Sequence, residues 1–174
     1  GTTALSVGFA HTCATKGIGV MCWGRNWEGQ LGDGTHNNRS NPVTVGSLTE
    51  NVAAIALGND LSCALTSSGS VKCWGRNAEG QVGDGTRQER LNAVNVPGLN
   101  SGVLGIAASW QNACAVLATG TVKCWGMDDA GQIGDITVAR LTQPGNSVSF
   151  AGIASKISAG YTHACLLAND GKVY

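Results

Sequence analysis

Cysteine and histidine carry most of the chemical potential of this chain of 174 residues, which holds seven of the first and three of the second. His11 precedes Cys13 by two residues, and His163 precedes Cys165 by two. In an extended strand that spacing puts both side chains on one face, the arrangement of a thiol nucleophile beside its base. The same position is Leu61 and Asn112 at the two intervening cysteines, Cys63 and Cys114. A base cannot be exchanged for leucine, so the position reads as a tolerant structural slot. Zinc is the other chemistry open to cysteine and histidine. A zinc site calls for close pairs such as Cys-x2-Cys, and the sequence has none.

The turns Gly32–Thr35 and Gly83–Thr86, each Gly-Asp-Gly-Thr, have the look of ion or phosphate loops. A phosphate loop continues into Gly-Lys-Ser/Thr and a helix, and a calcium loop alternates oxygen ligands and closes with Glu. Neither pattern follows, so these are turns in which Gly supplies positive φ and Asp bonds the backbone. Asp128 and Asp129, near Asp135, could bind an ion weakly, but a solvated loop is expected there, and His36 sits in a polar loop. Arg25-Asn26-x-Glu28 recurs as Arg76-Asn77-x-Glu79 and reads as structural polarity between repeated units. Asn38-Arg39-Ser40 is a lone glycosylation sequon. No acid/base pair and no set of nucleophile, base and orienting group emerges, so an enzyme is not expected, nor any cofactor or metal.

The elements that position these residues follow from one period. Cys-Trp-Gly occurs at Cys22, Cys73 and Cys124, 51 residues apart. Cys13, Cys63, Cys114 and Cys165 recur at 50, 51 and 51. Gly-Gln-apolar-Gly-Asp recurs at Gly29–Asp33, Gly80–Asp84 and Gly131–Asp135. Three landmarks sharing one period mark a repeat protein. Within a unit, Val52–Leu57 is a short apolar run, and Cys63–Thr66 and Val71–Trp74 flank the hairpin turn Ser67–Ser70. A fourth extended segment reads as Pro42–Val45 in one unit and Ala93–Val96 in the next. No amphipathic helix is visible. Four short strands per unit of about 51 residues describe an all-β chain built as a β-propeller of four-stranded blades.

Gly8-x-x-His11-Thr12-Cys13-Ala14, Cys22-Trp23-Gly24-Arg25-Asn26, Gly29-Gln30-Leu31-Gly32-Asp33-Gly34-Thr35 and Pro42-Val43 together resemble the repeat of the regulator of chromosome condensation family. The resemblance runs along essentially the whole chain and implies a propeller of seven blades. At 51 residues per unit the chain supplies about 3.4 of them: units 1–50, 51–101 and 102–152, and an incomplete 153–174, together one repeat domain. Tyr174 is therefore expected to fall inside a hairpin, with further repeats of the same chain, or a second copy, needed to close the ring. The resemblance implies less about function, because the family spans a nuclear nucleotide-exchange factor and secreted inhibitors of β-lactamase, and fold does not fix function.

Each of the pairs Cys13/Cys22, Cys63/Cys73 and Cys114/Cys124 flanks one hairpin, at separations of 9, 10 and 10. The first hairpin is a residue shorter around Gly17–Gly19, which keeps its cysteines opposed. Opposed residues of a non-hydrogen-bonded antiparallel pair lie about 4.5 Å apart, within reach of a disulfide. Disulfides are expected at these six cysteines, with free paired thiols in a reducing cell as the competing reading. Disulfides place the protein outside the cell, on its surface or in a periplasm, which argues against a nuclear exchange factor.

The positions that vary while their neighbours repeat are the ones that could select a partner. Four residues before the first cysteine of each unit stand Phe9, Asn59, Trp110 and Tyr161. They fall in the turn between the first two strands and thus on one rim. Large aromatics in a Gly-rich turn either tuck against neighbouring blades or form a contact surface. Trp27, matched by Ala78 and Asp129, lies in a different loop.

Composition agrees. Lys+Arg and Asp+Glu are 11 each, giving no net charge to draw nucleic acid or an anionic membrane. Apolar residues make up 43%, enough for a core, and 26 glycines against three prolines speak for many tight turns. The longest uncharged run, Leu91–Val122, is broken by Pro97, Asn100, Gln111 and Asn112 and does not span a membrane. The N-terminus has no positive and apolar leader and reads as a trimmed or mature end. The function expected is a secreted or cell-surface module that binds a protein or other macromolecule through rim loops. Alternatives are an inhibitor of a secreted enzyme, a structural module of an adhesin or fibre, and a guanine-nucleotide exchange factor.

Overall fold

The computed structural model describes residues 4–129, 131–133, 140–146 and 153–174. Among them there is no helix, and there are fourteen strands. The first unit holds β1 (Leu5–Val7), β2 (His11–Thr15), β3 (Val20–Gly24) and β4 (Arg39–Thr44). The second holds β5 (Val52–Leu57), β6 (Leu61–Thr66), β7 (Val71–Gly75) and β8 (Arg90–Asn95). The third holds β9 (Val103–Ala108), β10 (Asn112–Leu117), β11 (Val122–Met127) and β12 (Arg140–Asn146). β13 (Ala154–Ala159) and β14 (Ala164–Ala168) begin the fourth, and a bridge from Leu167 to Val173 starts its next strand.

Each unit is an antiparallel meander with strands in chain order. The first strands β1, β5, β9 and β13 lie next to one another, so the sheets stack face to face with these innermost. This is the stacking of propeller blades. The fourth strand of a unit starts earlier than sequence suggests: β4 begins at Arg39 and β8 at Arg90. Each of these arginines pairs with the Gly of Cys-Trp-Gly, past an irregularity in register at the Trp.

The cores lie between units, not within them. The Cys13, Val20, Cys22, Leu31 and Val45 face of the first unit packs on Ala64 and Trp74 of the second. Cys63, Val71, Cys73, Val82 and Val96 pack in turn with Trp125. Trp74 and Trp125 are wholly buried, whereas Trp23 is only half-buried. Removing about 200 Å² of such a ring from water is worth on the order of 5 kcal/mol. Each buried indole also has its N–H satisfied: Trp74 Nε1 donates to the Gln30 carbonyl (2.9 Å) and Trp125 Nε1 to that of Gln81 (2.8 Å). Gly32 and Gly83 make room for the indoles. Both have positive φ (69° and 81°), and a Cβ there would come within 2.7 and 2.5 Å of Nε1. The Gly-Gln-apolar-Gly turn is thus a socket for the Trp of the following unit.

The hairpin cysteines are directly opposed in register, Cys13 with Cys22, Cys63 with Cys73 and Cys114 with Cys124. Their Cα atoms are 4.1, 4.1 and 4.0 Å apart and each pair is at disulfide distance, while Cys165 is exposed and free.

Candidate functional site

The turn between the first two strands is closed by the same backbone bond in all four units. Gly8 N donates to His11 O, Gly58 N to Leu61 O, Ser109 N to Asn112 O and Gly160 N to His163 O, at 2.8–2.9 Å. Neighbouring turns press together: a Cβ on Gly8 would lie 2.6 Å from the Gly58 carbonyl. The turns also bond across units, Phe9 N to Gly58 O (3.3 Å) and Trp110 N to Tyr161 O (3.4 Å). Phe9, Asn59, Trp110 and Tyr161 consequently converge on one depression of about 250 Å³. Trp110 and Tyr161 stack, centroids 4.7 Å apart and planes inclined by 14°. Phe9 remains 76% and Tyr161 61% exposed. The rings therefore pair with each other at the rim while leaving much of their surface in water. Trp27 stands apart in its own loop, exposed, with the Arg25 guanidinium 4.3 Å from its ring centroid.

Beneath the rim lies a polar layer that joins the first two units. Asp60 is buried. Its carboxylate accepts from Gln30 Nε2 (2.6 Å) and Asn59 Nδ2, and Arg25 approaches to 4.0 Å. Burial raises the Asp60 pKa, opposed by the Arg25 charge. This layer was missed in sequence, although the strict recurrence of Gln30 and Gln81 with the following Trp signals a joint between units.

His11 is no nucleophile's base. Cys13 is bonded to Cys22, and the buried His11 ring faces Ser62 (Nε2 to Oγ, 2.9 Å), whose hydroxyl donates to the Gln30 carbonyl (2.8 Å). Burial pushes its pKa down to about 4, so the ring is neutral. His36 is not simply solvated: Nδ1 lies 3.0 Å from the Trp27 carbonyl and Nε2 3.3 Å from Glu89 of the next unit.

The Gly-Asp-Gly-Thr segments are built as turns. Asp33 Oδ1 accepts from the Thr35 backbone (3.0 Å), the Thr35 hydroxyl (2.7 Å) and Asn26 (3.0 Å), and Oδ2 from Arg39 (2.8 Å). Burial alone would raise the Asp33 pKa, but the bonds from Thr35, Arg39 and Asn26 outweigh it and lower it. Asp84, with Thr86, Asn77 and Arg90, repeats the clamp. Asn26 and Asn77 thus brace their own loops, whereas Arg25 bridges to the next unit. The third turn's Gly134 and Asp135 lie outside the described residues. Among the described residues no group of three or more His, Cys, Asp or Glu could hold a metal ion, and no helix is long and apolar enough to cross a membrane.

Family models described as the regulator of chromosome condensation repeat match residues 19–65, and 52–81, 103–132 and 154–174. The chain is 29% identical over 175 residues to the ultraviolet-B receptor UVR8 of Arabidopsis thaliana, spanning 98% of itself and 40% of that protein. It is 33% identical over 144 residues to the E3 ubiquitin-protein ligase HERC2 of Homo sapiens, spanning 81% of itself and 3% of that protein. The crystal structure of human WBSCR16 superposes with a TM-score of 0.88 at 25% identity, over 99% of this chain and 46% of that one. The chain therefore spans less than half the length of each of these proteins.

Proposed function

Because this chain belongs to the regulator of chromosome condensation repeat family, we propose that it is a β-propeller module that binds a protein partner through the rim formed by Phe9, Asn59, Trp110 and Tyr161, and that it works outside the cell or on its surface. The observation that carries the reading is the convergence of four variable positions of the repeat on one depression, two of them aromatic and more than half exposed. Exposed aromatics on a stiff frame are favoured anchors, because little ordering entropy is lost on binding. The three disulfides support the oxidising setting. The depression holds no acid/base pair, so binding rather than catalysis fits it.

The test captures partners on the immobilised chain from the extracellular fraction of the source cells. Trp110→Ala with Tyr161→Ala should weaken capture at least tenfold with thermal unfolding unchanged, and Arg87→Ala, an exposed residue of another loop, should not. Capture indifferent to the aromatic pair but lost with Arg87→Ala moves the surface to the other loops. Loss of the fold in the aromatic variant assigns the rings to packing.

A further inference from the structure

One position recurs at each joint between consecutive units and carries different chemistry each time. At the first joint the Arg25 guanidinium lies over Trp27 and reaches Asp60 Oδ1 (4.0 Å), the same oxygen that accepts from Gln30 (2.6 Å). Moving along by the period gives Arg76, Ala78 and Gln111 at the second joint, and Met127, Asp129 and Thr162 at the third. Arginine is therefore absent from the third joint, and a carboxylate stands where the first has Trp27.

A depression of about 300 Å³ opens there, lined by Trp110, Gln111, Asn112, Met127, Asp129 and Tyr161 among others. None of its lining residues is cationic. The stacked Trp110 and Tyr161 rings form one side, and Asp129 is exposed, its Oδ1 accepting from Gln132 Nε2 (3.1 Å) and its Oδ2 the second oxygen of the same carboxylate. Gln111 is buried behind this wall, its Oε1 closed off from solvent. An exposed aromatic pair beside a carboxylate calls for a planar, multiply donating cation. Guanidinium matches this better than ammonium, because its fork can donate in two directions while its plane stacks.

We propose that this depression docks an arginine side chain of the protein partner, with the guanidinium against the Trp110–Tyr161 pair and its fork donating to the Asp129 carboxylate. The site reproduces between two molecules what Arg25, Trp27 and Asp60 do within one. It rests on the rim reading above and names the chemistry of the partner.

The test titrates the whole chain with N-acetyl-arginine amide to high millimolar concentration, following the indole N–H resonance of Trp110, assigned through Trp110→Phe. A saturable shift is expected. The neutral isostere N-acetyl-citrulline amide should bind at least fivefold more weakly, and Asp129→Asn should weaken arginine binding at least threefold without changing the melting temperature. An unmoved Trp110 resonance, or citrulline binding as well as arginine, overturns the proposal. N-acetyl-lysine amide binding equally well overturns the guanidinium assignment. Arginine binding unaffected by Asp129→Asn, with partner capture still dependent on Trp110 and Tyr161, sinks this site and leaves the rim reading standing.

Discussion

His11 should make the stability of the first joint depend on pH, with a sign and size set by its burial. Its folded pKa is about 4 against an unfolded value of 6.5. Above pH 6.5 both states are neutral, and the group is indifferent. Between 6.5 and about 4 the unfolded chain binds a proton that the folded chain refuses, so stability falls as pH falls. At ~1.4 kcal/mol per pH step the loss by pH 4 is about 3 kcal/mol. The perturbation is His11→Asn, a non-titrating residue that stands at the equivalent position of the third unit as Asn112. Urea unfolding at a series of pH values from 7.5 to 4 gives the stability difference between native protein and variant. The native protein's relative stability should decline by about 3 kcal/mol across that range. Asp60, whose raised pKa favours the fold at low pH and loses that effect as pH rises, titrates in both proteins and cancels in the difference. A difference independent of pH, or a His11 ring that titrates near 6.5 by NMR, would refute the reasoning.

Non-reducing peptide mapping should find Cys13–Cys22, Cys63–Cys73 and Cys114–Cys124 and a free Cys165; replacing Cys63 and Cys73 by Ser should cost about 2.5–3 kcal/mol in denaturant unfolding, the chain-entropy value for so short a loop. Trp74→Phe removes a buried donor and packing volume and should cost about 1–3 kcal/mol, whereas Trp23→Phe, at a half-buried ring, should cost less than half as much in the same assay. Gly32→Ala forces a side chain into a positive-φ residue packed against the Trp74 indole and should lower stability by at least ~1 kcal/mol, with a fall in the melting temperature as the readout.

The period, the strand hairpins and the opposed cysteines were legible because each is a local pattern written three or four times. A one-residue deletion in the first hairpin was enough to show that Cys13 and Cys22 must stay in register. The rim was legible too, since four variable residues at one repeat position must share one end of the stack. What the sequence does not display is which neighbour a polar residue serves. Asn26 and Arg25 are adjacent, yet one braces its own loop and the other crosses to Asp60 of the next unit. That choice depends on the packing of two sheets some 35 residues apart in sequence, and local propensity carries no trace of it. The early start of β4 and β8 escaped for a related reason: Arg39 and Arg90 are held there by Asp33 and Asp84 rather than by any apolar alternation.

The Trp socket also has a handedness of order. The first two joints each bring together two unlike surfaces, an indole from one unit and a glycine-lined carbonyl turn from the unit before it. Such a contact is heterologous, and a two-fold axis through it would set indole against indole and leave both carbonyls unmet. Association through these faces would therefore run head to tail, giving a ring where the rotation per unit closes and an open array where it does not.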